Sequence, residues 1–251
     1  MQALSQDYEA AFKALLIHVA ERGRRSPKKY TAFWPVICDE FQLGSGLMVV
    51  GQAPDGWGDN YLLAELRKNG VEGLMESARA SSESTAHHAS AQEWLTGPSN
   101  YNWRKSPFWR LIEAFVIRNG LGGKEDWPRH LAYTNLYKVP PWTGNPSPSA
   151  QDWQRNGCVG LFQRELQELR PGCALILTGK SWFDPFVKGL GLETPPKGRH
   201  VYGAVTWGPS RLILAEHPRP RKGHPGPREE FVTDLSAVFA ETGRTGNDAL
   251  S

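Results

Sequence analysis

Apolar residues along this 251-residue chain gather in four short runs, at residues 47–50, 131–134, 174–177 and 212–215. Each run is bounded by turn-forming or polar residues, which is typical of a strand buried on both faces. Stretches with apolar residues at helical spacing separate the runs, and such alternation favours a parallel sheet covered by helices. The pattern therefore predicts a single-domain, three-layer α/β/α fold around a central four-stranded parallel sheet.

Capping residues give the expected helix boundaries. An amphipathic helix is predicted over residues 7–22. The clearest start is Ser106 as N-cap followed by Pro107 in the first turn. Asp59 and Ser149 are candidate N-caps for two other helices.

Three stretches fit neither a helix nor a buried strand. Residues 201–207 have the pattern of a hairpin, and residues 78–98 are rich in Ser, Ala and Thr, which predicts a mobile surface insertion. Residues 242–251 are expected to form a disordered tail, so that the domain covers residues 1–241.

Polar residues and turn-forming glycines and prolines follow the predicted strands directly. They lie at residues 51–55, at Asn135, at residues 178–180 and at residues 216–218. Because the carboxyl ends of parallel strands meet at one edge of a sheet, where ligands of such folds bind, these segments are expected to form a single site.

The composition indicates the cellular compartment of the protein more than its function. The formal net charge of +3 is too small to identify a nucleic-acid binder. The three cysteines are widely spaced without a CxxC pair, which argues against a disulfide framework or a structural zinc site and fits a reducing cytoplasm. The polar N-terminus has the pattern of neither a signal peptide nor a membrane span. We therefore expect a cytoplasmic protein without membrane association.

A basic run follows the first predicted helix and has two interpretations. It can be a solvated linker or a DNA contact, and the sequence leaves both open. Its members are Arg22, Arg24, Arg25, Lys28 and Lys29.

The segments after the four strands resemble a known motif series. They read GQAPDG, TNLYKVPPW, LILTGKS and LILAEHPRPR, and in this order and strand context they resemble the uracil-DNA glycosylase superfamily over residues 47–228. The second motif is most similar to the iron–sulfur branch, and the last to the single-strand-selective branch. The resemblance implies a monomeric base-excision enzyme that flips a deaminated base out of DNA and hydrolyses its N-glycosidic bond. The base expected from the resemblance is uracil.

Departures from the family pattern change the expected chemistry. Val139 stands where cluster-bearing relatives have a cysteine, and Cys38 alone replaces their N-terminal cysteine pair. We therefore expect no cluster, metal or other cofactor. Ala53 occupies the place where other branches carry the Asp or Asn that orients the attacking water. Asp55 or Asp59 must then be considered for the catalytic carboxylate, although Asp59 can equally be a helix cap.

Two residues carry the expected base recognition and catalysis. His217 matches the family histidine that donates a hydrogen bond to uracil O2 as negative charge develops there. Asn135 matches the reader of the base, because its amide can pair with O4 and N3–H of uracil while cytosine presents the reverse pattern. The alternatives are an incidental loop histidine and a turn-stabilising asparagine.

Further substrate contacts follow from the first motif and from nearby aromatic residues. Gly51 and Pro54 are expected to shape a loop in which Gln52 and Ala53 supply main-chain contacts to the base or a phosphate. The family stacks the flipped base on an aromatic ring, and the candidates here are Tyr101 and Trp103, with Trp103 preferred.

The expected DNA contacts are basic or hydroxyl side chains in the last three motifs. Arg221 stands where relatives insert a wedge residue into the gap left by the base, and a plain basic loop is the alternative. The full set is Lys138, Lys180, Ser181, Arg219, Arg221 and Lys222.

Two functions from different classes remain open at this point. The first is a monofunctional DNA glycosylase, and the second is a non-catalytic binder of uracil-containing or abasic DNA, which Ala53 keeps open. An unrelated nucleotide-binding protein is disfavoured because no GxGxxG or GxxxxGK[ST] fingerprint follows any predicted strand.

Overall fold

A computed structural model describes residues 4–54, 56–86, 106–219 and 229–244. The strands are β1 (Lys29–Tyr30), β2 (Val36–Ile37), β3 (Leu47–Gly51), β4 (Tyr61–Leu62), β5 (Leu131–Asn135), β6 (Cys173–Leu177), β7 (Val201–Trp207) and β8 (Ser210–Ala215). The helices are α1 (Gln6–Arg22), α2 (Leu63–Asn69), α3 (Glu72–Ala86), α4 (Pro107–Arg118), α5 (Pro148–Leu169), α6 (Lys180–Gly189) and α7 (Glu229–Arg244).

The central sheet has the strand order β2-β5-β3-β6-β8-β7. Its four middle strands are parallel, as predicted, and β7 forms an antiparallel hairpin with β8. At the other edge β2 pairs antiparallel with β5, and this two-residue strand was not predicted. The sheet is thus wider than the four strands expected, because antiparallel strands close both of its edges. A separate ribbon pairs β1 with β4.

Helices cover both faces of the sheet, which confirms the three-layer α/β/α prediction. Side chains alternate along β3, so that Met48 and Val50 pack in one apolar cluster with residues of α1, α5 and α6. Leu47 and Val49 point to the opposite face and pack with residues of α4 and α7. Burial on both faces explains why the central strands read as continuous apolar runs.

The predicted helix starts are partly confirmed. Ser106 caps α4, and its hydroxyl accepts a hydrogen bond from the Trp109 amide. The prediction of Ser149 as N-cap of α5 was wrong: Ser147 caps this helix by accepting from the Ala150 amide, and Pro148 fills its first turn.

Asp59 does not cap α2, contrary to the cap prediction. The helix begins at Leu63 after the N-cap position Leu62, whose backbone amide donates to the Glu65 carboxylate at 3.1 Å. Glu65, the third residue of the helix, therefore satisfies the backbone amide of the N-cap residue, while no N-cap side chain accepts from the first turn.

The predicted insertion and tail also differ from the structure in part. Residues 78–86 lie in α3, where Ala78 and Ser82 are buried, so this part is a helix packed against the domain rather than a surface insertion. Residues 87–98 lie outside the described residues. At the C-terminus α7 continues to Arg244, past the predicted end of the domain, and residues 245–251 lie outside the described residues. Of the helices described, none has the length and apolar character to cross a membrane.

Candidate functional site

The candidate site lies at the carboxyl ends of the parallel strands. From β3 the chain continues to β5 on one side, and from β6 it continues to β7 and β8 on the other side. The loops after β3 and β6 therefore diverge and flank a crevice. The Gln52 side chain bridges these loops by donating from Nε2 to the Thr178 carbonyl oxygen at 2.8 Å. The loops after β3 and β6 are therefore in direct contact at the edge predicted from the sequence.

Asn135 is one of the buried polar residues of this edge, as is Thr178 after β6. Asn135 ends β5 opposite Gly51, and its side chain is 1% exposed. A Cβ atom at position 51 would lie 2.5 Å from Asn135 Oδ1, so this position requires glycine for close approach. The Tyr133 hydroxyl donates to Oδ1 at 3.1 Å. Asn135 Nδ2 has no hydrogen-bond partner among the described residues.

An unsatisfied buried amide is informative because it destabilises the fold by roughly 1–3 kcal/mol. Native proteins retain such groups where a ligand or another function uses them. In the Asn135 side chain, Nδ2 is a donor without a partner and Oδ1 is an acceptor held by the Tyr133 hydroxyl. These two atoms form a preorganised amide edge at the crevice.

His217 lies just after β8, the strand that pairs with β6, and packs on an aromatic ring. It follows β8 by two residues, and its ring stacks on Phe108 with centroids 6.3 Å apart and an interplanar angle of 21°. Burial, and secondly the positive charge of Arg219, lowers the pKa of His217 below its ordinary value of about 6.5. The imidazole is therefore neutral at pH 7, with one N–H donor.

The lowered pKa of His217 predicts a pH dependence of stability. Below about pH 6.5 the unfolded chain takes up a proton at this residue while the folded site resists it. The free energy of unfolding should therefore fall as the pH drops below 6.5 and through the lower folded pKa. We expect His217→Gln to make this dependence shallower in urea denaturation at several pH values. Equal dependences in the variant and the wild type would contradict the shifted pKa.

An aromatic cluster connects His217 to Asn135. Phe108 contacts Tyr133 with ring centroids 6.0 Å apart, and the Tyr133 hydroxyl reaches Asn135. Phe33 lies 5.2 Å from Tyr133 and 4.9 Å from Trp57, measured between ring centroids. The amide and the imidazole therefore border one aromatic surface.

Sequence reasoning missed Phe108 and Tyr133. Phe108 could have been found from its position in the first turn of α4. Tyr133 could have been found because it lies two residues before Asn135 and therefore on the same face of β5. The residues predicted to stack on a base, Tyr101 and Trp103, lie outside the described residues.

The loop after β3 is tied to the loop after β5. The carbonyl oxygens of Gly51 and Gln52 accept from the amides of Leu136 and Tyr137 at 2.9 and 3.0 Å. These two carbonyls are therefore engaged within the protein, and the Gln52 side chain rather than its carbonyl reaches into the crevice.

The rest of the first motif contributes little polar chemistry. Ala53 packs against an apolar cluster and Pro54 is buried. Asp59 is exposed, and its backbone amide donates to Ser77 Oγ at 2.9 Å. Asp55 lies outside the described residues.

Lys138 is not a surface contact, which corrects its prediction as a DNA-binding residue. Its side chain is fully buried, and Nζ lies 2.7 Å from a carboxylate oxygen of Glu165, itself fully buried. The ammonium also donates to the Asn135 carbonyl oxygen at 2.7 Å and to the Thr134 hydroxyl. A buried cation needs such partners. Lys138 therefore fixes the backbone that presents Asn135 and does not reach a DNA phosphate.

The remaining predicted DNA contacts lie in two neighbouring loops. Lys180 and Ser181 are exposed in the first turn of α6, where Lys180 pairs with Asp184. Arg219 is exposed two residues after His217. A Cβ atom on Gly179 would lie 3.6 Å from the His217 amide nitrogen, so the two loops are adjacent. Arg221 and Lys222 lie outside the described residues.

The three cysteines lie apart in the interior. Cys38 follows β2, Cys158 is in α5 and Cys173 begins β6, and all three are free thiols. Burial raises the pKa of each thiol to about 12. Within the described ranges no group of three or more His, Cys, Asp or Glu side chains is placed to hold a metal ion.

No protein-family model matches this chain, and no curated protein sequence matches it significantly. Its function is therefore inferred from the motif resemblance and from the chemistry of Asn135, His217 and their neighbours.

Proposed function

We propose that this protein is a DNA glycosylase that hydrolyses the N-glycosidic bond of a deaminated base after the base is flipped out of the DNA stack. The proposed base is uracil. The observation that carries the proposal is the buried Asn135 amide, which has one donor without a partner at the carboxyl edge of the sheet. The resemblance of the four strand-end segments to the glycosylase motif series supports it.

The amide of Asn135 matches the edge of uracil. Oδ1 has two lone pairs, and the Tyr133 hydroxyl uses one of them, so that the other can accept from uracil N3–H. Nδ2 can donate to uracil O4. Cytosine has an amino group in place of O4 and an acceptor at N3. Its amino group would face the donor Nδ2, and its N3 would face the acceptor Oδ1, so neither hydrogen bond could form.

His217 matches the leaving group. Hydrolysis breaks the bond between C1′ and N1, and the electron pair leaves with the base as a uracil anion while water adds to C1′ and loses a proton. A neutral imidazole N–H can stabilise charge on O2 of this anion. The ring is held for this role by stacking on Phe108, so it does not need to reorganise during the reaction.

A second candidate function is a non-catalytic binder of uracil-containing or abasic DNA. Ala53 favours it, because a methyl group packed against the apolar cluster cannot position a water molecule. Such a protein would use the same amide edge for recognition and would leave the glycosidic bond intact.

A strand-cleavage assay separates the two functions. The full chain is incubated with a duplex that carries one deoxyuridine, and the products are treated with alkali, which cleaves only at abasic sites. Alkali-dependent cleavage at the uracil, absent with a thymine-containing duplex, is the result expected of a glycosylase. Selective binding of the uracil duplex, or of a duplex with one abasic site, without cleavage would establish the binder. Equal weak binding of the uracil, abasic and thymine duplexes without cleavage would refute both functions.

Asn135 variants test the reading of the base. We expect Asn135→Ala to lower uracil excision roughly tenfold or more, because it removes both hydrogen bonds to the base. Asn135→Asp should also impair uracil excision, since a carboxylate cannot donate to O4, and it should raise the excision of cytosine relative to uracil. Single-turnover rates on uracil and cytosine duplexes measure this, and unchanged uracil kinetics in Asn135→Ala would remove the recognition role.

A further inference from the structure

A second concave surface lies where the segment after α1 meets the N-terminus of α5. It encloses about 330 Å³. We call it the basic cleft. The residues that define its chemistry are Arg22, Arg25, Lys28, Ser147, Ser149 and Trp153.

The charges around the basic cleft are of one sign. Arg22, Arg25 and Lys28 line it, and no carboxylate is among the residues that line it. Within the described part of the chain none of these three cations forms an ion pair. Like charges gathered on one short segment repel each other, so a bound anion is favoured there.

The other wall of the basic cleft suits a nucleotide. Ser147 and Ser149 present hydroxyl groups at the start of the 22-residue helix α5, whose N-terminus adds partial positive charge. Trp153 is half-buried one turn further along and offers an aromatic face. Cations beside an aromatic ring are the usual combination for binding a single nucleic-acid strand.

The basic cleft and the candidate site share a loop. Trp142 donates its backbone amide to the Lys29 carbonyl oxygen at 2.8 Å, which ties this loop to the basic segment. Further along the same loop, Asn145 Nδ2 donates to Gln52 Oε1 at 3.3 Å. A strand held at the crevice can therefore continue over this loop toward the cleft.

We propose that the basic cleft binds a phosphate of a nucleic-acid strand, with the attached nucleotide against Trp153. Arg22, Arg25 and Lys28 neutralise the phosphate. The Ser147 and Ser149 hydroxyls are hydrogen-bonded to each other at 3.0 Å, and the one whose proton is not used in this bond donates to a phosphate oxygen. This binding needs no catalysis and no damaged base, so it goes beyond the proposed glycosylase activity. It also assigns a role to the basic run that the motif series leaves unexplained.

Two neighbouring arginines provide a matched test. Arg25 lines the cleft, whereas Arg24 is exposed but lies outside it, with Nη1 donating to the Glu21 carbonyl oxygen at 3.3 Å. The affinity of the full chain for a labelled, uracil-free oligothymidylate is measured at several salt concentrations. We expect Arg25→Gln to weaken binding roughly tenfold and to reduce the salt slope by about 0.7. Arg24→Gln should change the affinity less than about twofold.

Each outcome decides the assignment. Equal losses in Arg24→Gln and Arg25→Gln, or an oligonucleotide affinity that neither variant changes, would overturn it. Binding of a nucleoside triphosphate that depends on Arg25, without an effect on the oligonucleotide, would show that the cleft takes a free nucleotide instead of a strand. A chain that never excises uracil but binds oligothymidylate through Arg25 would refute the glycosylase and support the cleft. Thermal unfolding of both variants confirms that they remain folded.

Discussion

Replacement of His217 with alanine is expected to slow uracil excision about 100-fold or more, while the affinity for uracil-containing DNA changes little. The neutral imidazole is held at the end of β8 by its stacking on Phe108, with a pKa kept low mainly by burial. A donor fixed in this way acts on the charge that develops on the departing base, which is larger in the transition state than in the bound substrate. Its loss should therefore appear in the rate and not in binding.

The measurement is a single-turnover rate with enzyme in excess, together with the dissociation constant for a uracil duplex. His130→Ala is the matched control, because His130 directly precedes β5 at the opposite end of the sheet from the candidate site and pairs with Glu40. That variant should retain the wild-type rate. A near-normal rate in His217→Ala would remove this residue from the mechanism.

Replacement of Lys138 with methionine is expected to lower the free energy of unfolding by roughly 3–5 kcal/mol. The substitution keeps an unbranched side chain of similar length but leaves the Glu165 carboxylate buried without its cation. Glu165 also accepts from the Tyr8 hydroxyl at 2.7 Å and from Thr134 at 2.9 Å. Burial, and secondly the Glu165 charge, raises the pKa of Tyr8, so the phenol stays a donor and cannot replace the lost charge. The melting temperature should fall by on the order of 10 °C.

A surface ion pair of similar length is the control. Lys13 Nζ lies 2.8 Å from Glu72, compared with 2.7 Å for the buried pair, but both partners are about half exposed. Lys13→Met should leave the urea midpoint nearly unchanged, because water replaces the lost partner. The double variant Lys138→Met with Glu165→Gln should recover part of the loss. If the two lysine variants were equally stable, the buried network would have no special role in stability.

The buried network also explains why the Lys138 prediction failed. In sequence, Lys138 is the basic residue of the motif TNLYKVPPW that follows a strand, and this is the basis of the prediction. Its burial depends on Tyr8 of α1 and Glu165 of α5, which lie 157 positions apart along the chain. No local pattern indicates that these residues converge on one lysine.

Local signals predicted the strands well and the caps less well. The four parallel strands follow from runs of apolar residues, because burial on both faces excludes polar residues from every position. The two-residue strand β2 lies in the apolar run of residues 33–38, but Pro35 breaks this run and leaves only two residues that pair with β5 at the edge of the sheet. Ser147 and Ser149 are both acceptable N-caps in sequence, and the choice between them depends on where the preceding loop enters α5.

The sequence by itself determined the order of strands and helices and placed Asn135 and His217 at one edge of the sheet, because apolar periodicity and the direction of parallel strands are local properties. Only the tertiary structure decided which side chains surround them. The contact of Phe108 with His217 and the meeting of the basic run with the start of α5 join residues distant in sequence. Only the packed fold shows that the amide donor of Asn135 is buried without a partner. These features depend on how whole helices and strands pack, because packing brings together side chains that are far apart in the sequence.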